Sequence, residues 1–275
     1  MSGLPADVAS FIAKLEQAYP ELRVAGPLLA RQAPALLAFE AIAHELLQAA
    51  LHLPDATAAV GKLHWWSEEL QRYGAGEARH PLTRHLGTGP AAAVNADALA
   101  PLLALAVRRH DAPPPTDLAA QLAACEPAFL GVERLRASLL GSPSAAISPQ
   151  ASLGALTYLL RQLARLPLAG NDDTSAIPMQ LLARHQMDRA ALTLPGSDRD
   201  AVVREQLAAI GTALAALGES LRASAGWLAR LRWRCEHWRV RPPPPGDPFS
   251  VLWSRLDRAP WNTAWLAWRE LRRGD

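Results

Sequence analysis

The residues of this chain whose types suit metal chemistry are a Glu/His/Glu group near the N-terminus and a pair of adjacent aspartates further on. Glu40 and His44 stand four apart with Glu45 beside them, so Glu40 and His44 share one face of a helix. Two such side chains can hold a metal ion. Magnesium prefers carboxylate oxygens, however, and a histidine replacing a second carboxylate is a poor ligand for it. Taken alone, the spacing therefore fits a solvated or hydrogen-bonded pair. Asp172 and Asp173 lie in a stretch rich in Gly, Asn, Ser and Thr, where adjacent acids usually make turns and caps, and nothing in their spacing selects a metal. His80-Pro81 and His185 have no Ser or Cys at a spacing used by nucleophilic hydrolases. Neither GxGxxG nor GxxxxGK(S/T) occurs, so a glycine-rich phosphate cradle is unsupported. Cys125 and Cys235 are isolated and form no CxxC, which argues against a zinc knuckle and against a secreted disulfide scaffold.

The elements that must position these groups read as helices throughout. Alanine and leucine dominate, apolar residues recur at three- and four-residue steps, and alternating Val/Ile/Thr strands are nearly absent, which predicts an all-α chain. At 275 residues and 50% hydrophobic composition, disorder is excluded and one large core is affordable in sequence terms. Prolines supply the punctuation. Pro5 and Pro20 bracket a first helix, Pro34 opens one running to about Leu53, and Pro54-Asp55 starts another that passes Trp65-Trp66 and stops at Gly74 and Gly76. Asn95 is expected to cap a helix ending near His110, and Thr116 to cap one after the stiff Pro113-Pro114-Pro115 connector. Ser148-Pro149 starts a helix ending before Pro167, residues 168–177 form a loop, and Pro178 begins a short helix to about His185. Every linker is short and no repeat is visible, so a single domain over residues 1–275 is expected.

Residues 198–240 carry the clearest periodicity. Val203, Leu207, Ile210, Leu214, Leu217, Leu221, Ser224, Leu228, Leu231, Cys235 and Trp238 alternate four- and three-residue steps, a heptad-type seam. An unbroken helix over this stretch would run to about 60 Å at ~1.5 Å per residue, long for one domain. A bend or break near residues 224–226 is therefore expected, and a core helix packed by its neighbours fits better than a dimeric coiled coil.

Charge and hydropathy narrow the classes further. Twenty-eight basic residues face twenty-six acidic ones, a net charge of +2, so no strong field draws a polyanion and a dedicated nucleic-acid binder is not expected. Lys14 and Lys62 are the only lysines. The arginines at 222, 230, 232, 234, 239 and 241 form a basic segment that reads as a solvated helix face. Asp7 and Lys14 fall where a signal peptide needs its apolar run, and no unbroken apolar stretch reaches the ~18–20 residues of a membrane span. A cytoplasmic protein is expected, with membrane contact only at the surface.

The order of several motifs is more specific than any one of them. Lys62-Leu63-His64-Trp65-Trp66-Ser67-Glu68-Glu69-Leu70 precedes Gly76 and His80-Pro81. Further on, Leu153-Gly154 and Pro167 lead to Ile177-Pro178-Met179-Gln180-Leu181-Leu182-Ala183-Arg184-His185, and the chain ends on Trp261, Trp265, Leu266, Ala267, Trp268, Arg269 and Leu271-Arg272-Arg273. Over most of its length, roughly residues 28–273, this series resembles the squalene/phytoene synthase family of head-to-head prenyltransferases. The resemblance implies a helical bundle of the isoprenoid-synthase type. It also implies two aspartate-rich motifs whose magnesium ions hold two prenyl diphosphates while an allylic cation forms. Here the first motif falls on Glu40, His44 and Glu45. The second should fall between Leu160 and Ile177, where the chain reads Arg161-Gln162-Leu163-Ala164-Arg165-Leu166-Pro167 and carries no Asp-x-x-x-Asp. Asp172-Asp173 lies past that position. The wording is similar to a divergent branch of the family, the mitochondrial complex I assembly factors, which keep the fold without the aspartates.

The resemblance therefore implies a degenerate member that binds an isoprenoid-like apolar ligand or a partner protein without prenyl transfer and needs no cofactor. Lys62, Trp65, Trp66, Arg161 and Arg165 are the candidate ligand-binding residues. The alternative is an active magnesium-dependent synthase using Glu40, His44 and Glu45 in catalysis, with Glu40, Glu45, Asp172 and Asp173 as metal ligands. A third reading is an assembly or interaction protein. Trp65 and Trp66 point about 100° apart on a helix, so one is expected in the core and the other on a neighbouring helix. Trp261, Trp265 and Trp268 follow i, i+4, i+7 spacing and are expected to dock the terminal helix onto the bundle.

Overall fold

The computed structural model describes residues 6–87, 96–109, 111–141, 143–168 and 176–272. Among them the regular structure is entirely helical and contains no strand. The α-helices are α1 (Ala6–Ala18), α2 (Pro20–Gln32), α3 (Pro34–His52), α4 (Ala56–Gly74), α5 (Pro81–His85), α6 (Ala100–Arg108), α7 (Leu118–Leu140), α8 (Ile147–Arg165), α9 (Met179–Arg184), α10 (Ser197–Ser224), α11 (Trp227–Arg239), α12 (Pro248–Leu256) and α13 (Thr263–Arg272). The chain divides into two compact units, residues 1–112 with 127–151, and residues 113–126 with 152–275.

The first unit is organised around α3. Its residues are predominantly apolar, and residues 37–43 with Leu46, Ala49, Ala50 and Leu51 are buried, while His44, Glu45, Leu47 and Gln48 are partly buried. A helix apolar on all sides must be enclosed, and α1, α2, α4, α5 and α6 all pack on it. Pro34 occupies the first turn, where its missing N–H removes no helix bond. Asp55 caps α4, accepting from the N–H groups of Thr57 at 2.6 Å and Ala58 at 3.1 Å. The helix starts and stops expected at Pro34, Asp55 and Gly74 are therefore those observed. The helix expected up to His110 is a 3-10 turn at Ala96–Leu99 followed by α6, while Asn95 and His110 lie outside the described residues. By length and mean hydropathy α3 and α10 each match a membrane span, which counting unbroken apolar runs does not reveal. Most of the apolar window of α3 is buried in the fold.

In the second unit the cap expected at Thr116 falls one residue later. Asp117 accepts from the N–H of Ala120 at 2.8 Å. The carbonyls of Pro115 and Thr116 instead accept from the N–H groups of Met179 (3.0 Å) and Gln180 (2.9 Å), which satisfies the unpaired first turn of α9. The seam over 198–240 breaks where expected, with Ala225 and Gly226 between α10 and α11. The two helices then pack on each other, bringing Gly218 to Trp233 and Gly211 to Val240, an antiparallel hairpin. Val203, Leu207, Ile210, Leu214 and Leu221 on one arm and Leu228, Leu231 and Cys235 on the other are buried. The proline run 242–245 offers carbonyls but no donors, and Arg204 donates to the carbonyls of Pro243 (2.8 Å), Pro244 (2.9 Å) and Gly246.

Gly218 makes this hairpin possible. A Cβ there would stand 2.5 Å from the Trp233 ring. That ring is pinned by its Nε1–H donating to the Leu214 carbonyl at 2.7 Å and by stacking on His237 at 5.7 Å. Gly218→Ala is expected to destabilise the protein by about 1–3 kcal/mol through overpacking. Gly61, also within a helix but with open space at its Cβ, is expected to gain about 0.5–1 kcal/mol on the same change. Urea denaturation of the two variants checks both signs.

Two expectations for the C-terminal third are corrected. Trp261, Trp265 and Trp268 do not dock α13: they are 96%, 53% and 46% exposed. The docking face is Thr263, Leu266, Ala267 and Glu270, all buried. Glu270 is the reason, because its carboxylate meets Arg230 at 2.8 Å and Arg234 at 3.3 Å from α11 and Arg269 at 3.2 Å. Burial alone would raise the Glu270 pKa, yet the bonds from Arg230 and Arg269 hold it below its ordinary value. The arginine segment is accordingly not a solvated face. Arg239 is fully buried, Arg230, Arg232 and Arg234 are partly buried, and only Arg222 and Arg241 are exposed.

Candidate functional site

The motif residues of α4 and the His80-Pro81 turn form one cluster in the first unit. Trp66 is buried, as expected for one of the two, whereas Trp65, expected to pack on a neighbouring helix, is 43% exposed. Their rings meet edge to face at 5.1 Å. The His80 imidazole lies against Trp66 at 4.8 Å, Trp65 at 5.6 Å and Phe11 at 4.9 Å. Its Nδ1 accepts from the N–H of Leu82 at 3.2 Å, capping α5. Removal from water lowers the His80 pKa, outweighing the opposite pull of Glu69 and Glu45, so the cap works with a neutral ring.

Glu69 secures this turn from below. Its Oε1 accepts from the N–H groups of Arg79 at 2.8 Å and His80 at 2.7 Å and from the Thr83 hydroxyl at 2.5 Å, while Oε2 accepts from Arg72 Nε at 3.1 Å. The side chain is fully buried. Burial alone would raise its pKa, but these donors hold it down at about 2. A carboxylate that joins the end of one helix to the start of another is a structural clamp, a role the sequence motif contains without displaying.

The candidate metal ligands on α3 each carry a cation partner. Glu40 is buried and meets Arg136 of α7 at 2.7 Å. Arg136 in turn meets Glu133 at 3.1 Å and lies over the Phe39 ring at 5.2 Å. Glu45 meets Lys62 at 2.6 Å and Lys14 at 4.0 Å, so the two lysines of the chain converge on one carboxylate. The His44 ring packs edge-on against Tyr19 at 5.8 Å. Carboxylates already engaged by cationic side chains beside a packed imidazole do not fit a magnesium site, and no group of three or more His, Cys, Asp or Glu suited to a metal occurs among the described residues. Asp172 and Asp173 lie outside the described residues.

Arg161 and Arg165 belong to the second unit. Arg161 Nη2 lies 4.0 Å from Glu236 Oε1, and Arg239 donates to the same oxygen at 2.6 Å. Arg239 also donates to the carbonyls of Arg255 at 3.3 Å and Arg258 at 3.4 Å. Arg161 is thus part of a buried ionic network between α8 and α11, whereas Arg165 is exposed. Trp238, Ser250, Val251, Ser254, Arg255 and Arg258 line an open cleft of about 340 Å³. His185 has the acidic partner Glu205, Nε2 to Oε2 at 2.8 Å. That bond, together with the Arg184 guanidinium, lowers the Glu205 pKa despite the effect of partial burial. Cys125 and Cys235 are buried and form no disulfide, and burial pushes the Cys125 thiol up to about 12, an unreactive form.

Lys62, Trp65, Trp66 and Glu45 are therefore brought together, with Glu40 on the same central helix. The partners Arg136, Glu69 and His80 give this region its character, and of these only Glu69 and His80 stood in a legible motif. These features define a class, an all-helical protein of two compact units with buried ion pairs at the positions best suited to chemistry. No protein-family model and no curated protein sequence matches the chain.

Proposed function

We propose that the protein is a catalytically degenerate relative of the squalene/phytoene synthases, with their isoprenoid-synthase type of bundle, that binds an isoprenoid-like ligand or a partner protein without transferring prenyl groups. The carrying observation is the Glu40–Arg136 pair. Prenyl transfer needs clustered metal ions to stabilise a departing diphosphate, and a buried carboxylate already held by a guanidinium is not an open oxygen ligand for them. The meeting of the Lys62–Leu70 motif with His80-Pro81 around Glu69 supports reading their order as a signature of fold. The proposed setting is cytoplasmic.

The test is incubation of the full chain with Mg²⁺ and farnesyl or geranylgeranyl diphosphate. No pyrophosphate release and no C30 or C40 hydrocarbon is expected. Turnover that is abolished by Glu40→Gln would overturn the reading in favour of an active synthase. Without Mg²⁺, a concentration-dependent rise in Tm with farnesyl diphosphate is the outcome expected of the ligand-binding form.

A further inference from the structure

We propose that the solvent face of α13 docks on the surface of an anionic phospholipid bilayer. The inference is independent of the function proposed above. It starts from side chains that the docking of α13 leaves outside. Trp261, Trp265 and Trp268 are 96%, 53% and 46% exposed. Trp265, Trp268 and Arg272 stand at three- and four-residue steps on one face of α13, and Trp261 lies in the turn two residues before the helix. Isolated exposed apolar residues are ordinary, whereas three exposed indoles within eight residues are a patch.

The chemistry of the patch selects its occupant. An indole joins a large apolar body to an N–H donor and favours the interface between hydrocarbon and water over either phase. Two of the rings are topped by guanidinium groups, Arg269 over Trp265 at 4.5 Å and Arg272 over Trp268 at 4.4 Å. Guanidinium pairs with phosphate through parallel hydrogen bonds. From Arg258 to Arg272 the sole acid is Glu270, which is buried and faces Arg230, Arg234 and Arg269. Over residues 258–272 this segment therefore presents cations and indoles with its one carboxylate buried, and the exposed Asp257 stands just before it; that balance is complementary to anionic headgroups. A ten-residue helix is about 15 Å long and suits lying in the headgroup plane. Base stacking by a nucleic acid is less favoured, because a guanidinium already covers one side of two of the three rings.

The test uses the full chain with vesicles of phosphatidylcholine alone or mixed with phosphatidylglycerol, read by co-sedimentation and by the shift of tryptophan emission. Binding to the mixed vesicles is expected, at least tenfold weaker to phosphatidylcholine alone, and weakened by added salt. The variant Trp261→Ala/Trp265→Ala/Trp268→Ala, with its circular dichroism and Tm unchanged, is expected to lose at least tenfold in affinity, and Arg272→Glu to weaken binding by itself. The proposal is overturned if the protein ignores mixed vesicles, binds both kinds equally, or binds normally as the folded triple variant. It is equally overturned if the triple variant changes only self-association or oligonucleotide binding.

Discussion

Arg136→Met is expected to destabilise the folded protein by about 3–5 kcal/mol at neutral pH, the largest effect of any single change considered, because it takes the guanidinium away from the buried Glu40 carboxylate. Glu133, which also meets this guanidinium, loses a partner at the same time, and the Phe39 ring loses the cation above it. Without the guanidinium, burial disfavours the charged form of this carboxyl more than in the wild type. A raised carboxyl pKa penalises folding above the unfolded value and is relieved as pH falls, so the deficit should narrow in acid. Replacing both partners, Arg136→Met with Glu40→Leu, is expected to recover the part of the loss that comes from Glu40, since an apolar pair of similar volume needs no compensation, while the part that comes from Glu133 remains. Urea denaturation of the single and double variants measures each value.

Glu69→Gln is expected to cost about 3 kcal/mol at pH 7, the value that follows from a carboxyl held at about 2 instead of its ordinary 4.5. The folded-state pKa is depressed, so this stabilisation is complete above pH 4.5 and is lost as pH falls towards 2. The gap between wild type and variant should therefore close over that window. His80 adds a separate slope. Its pKa is lowered, so its contribution is present above 6.5 and declines as pH drops below that value, when the unfolded chain takes up a proton the folded ring resists. Stability curves at pH 7, 4.5 and 3 distinguish the two, because only the lower part depends on Glu69. A side chain that merely filled space would show no such window.

Local chemistry accounts for what was legible. Pro34, Asp55 and the break at residues 225–226 act within one or two turns, and each ended or began the helix it was expected to. The α4 motif was visible because Trp65, Trp66 and Glu69 all sit on one short helical segment near the turn they hold. Arg136 was invisible because its partner Glu40 comes from a remote helix, and no local spacing announces such a pair. The stripe on α13 failed for a different reason. Trp261, Trp265 and Trp268 and the set Thr263, Leu266, Ala267 and Glu270 both have helical periodicity, so the pattern alone offers two faces. Glu270 decides between them, since a carboxylate facing three arginines is held inward even though that leaves three indoles in water. The basic segment was misread for the same cause, with Arg230 and Arg234 serving Glu270 and Arg239 serving Glu236.

The central claim is that the acid best placed to open a metal site is instead a structural partner of Arg136. A double-mutant cycle of Glu40→Gln and Arg136→Met, measured by urea denaturation with and without Mg²⁺, tests it most directly. The account predicts a coupling of about 2 kcal/mol or more, the same in both conditions. A coupling near zero, with wild-type stability raised by Mg²⁺ and that rise lost in Glu40→Gln, would contradict it.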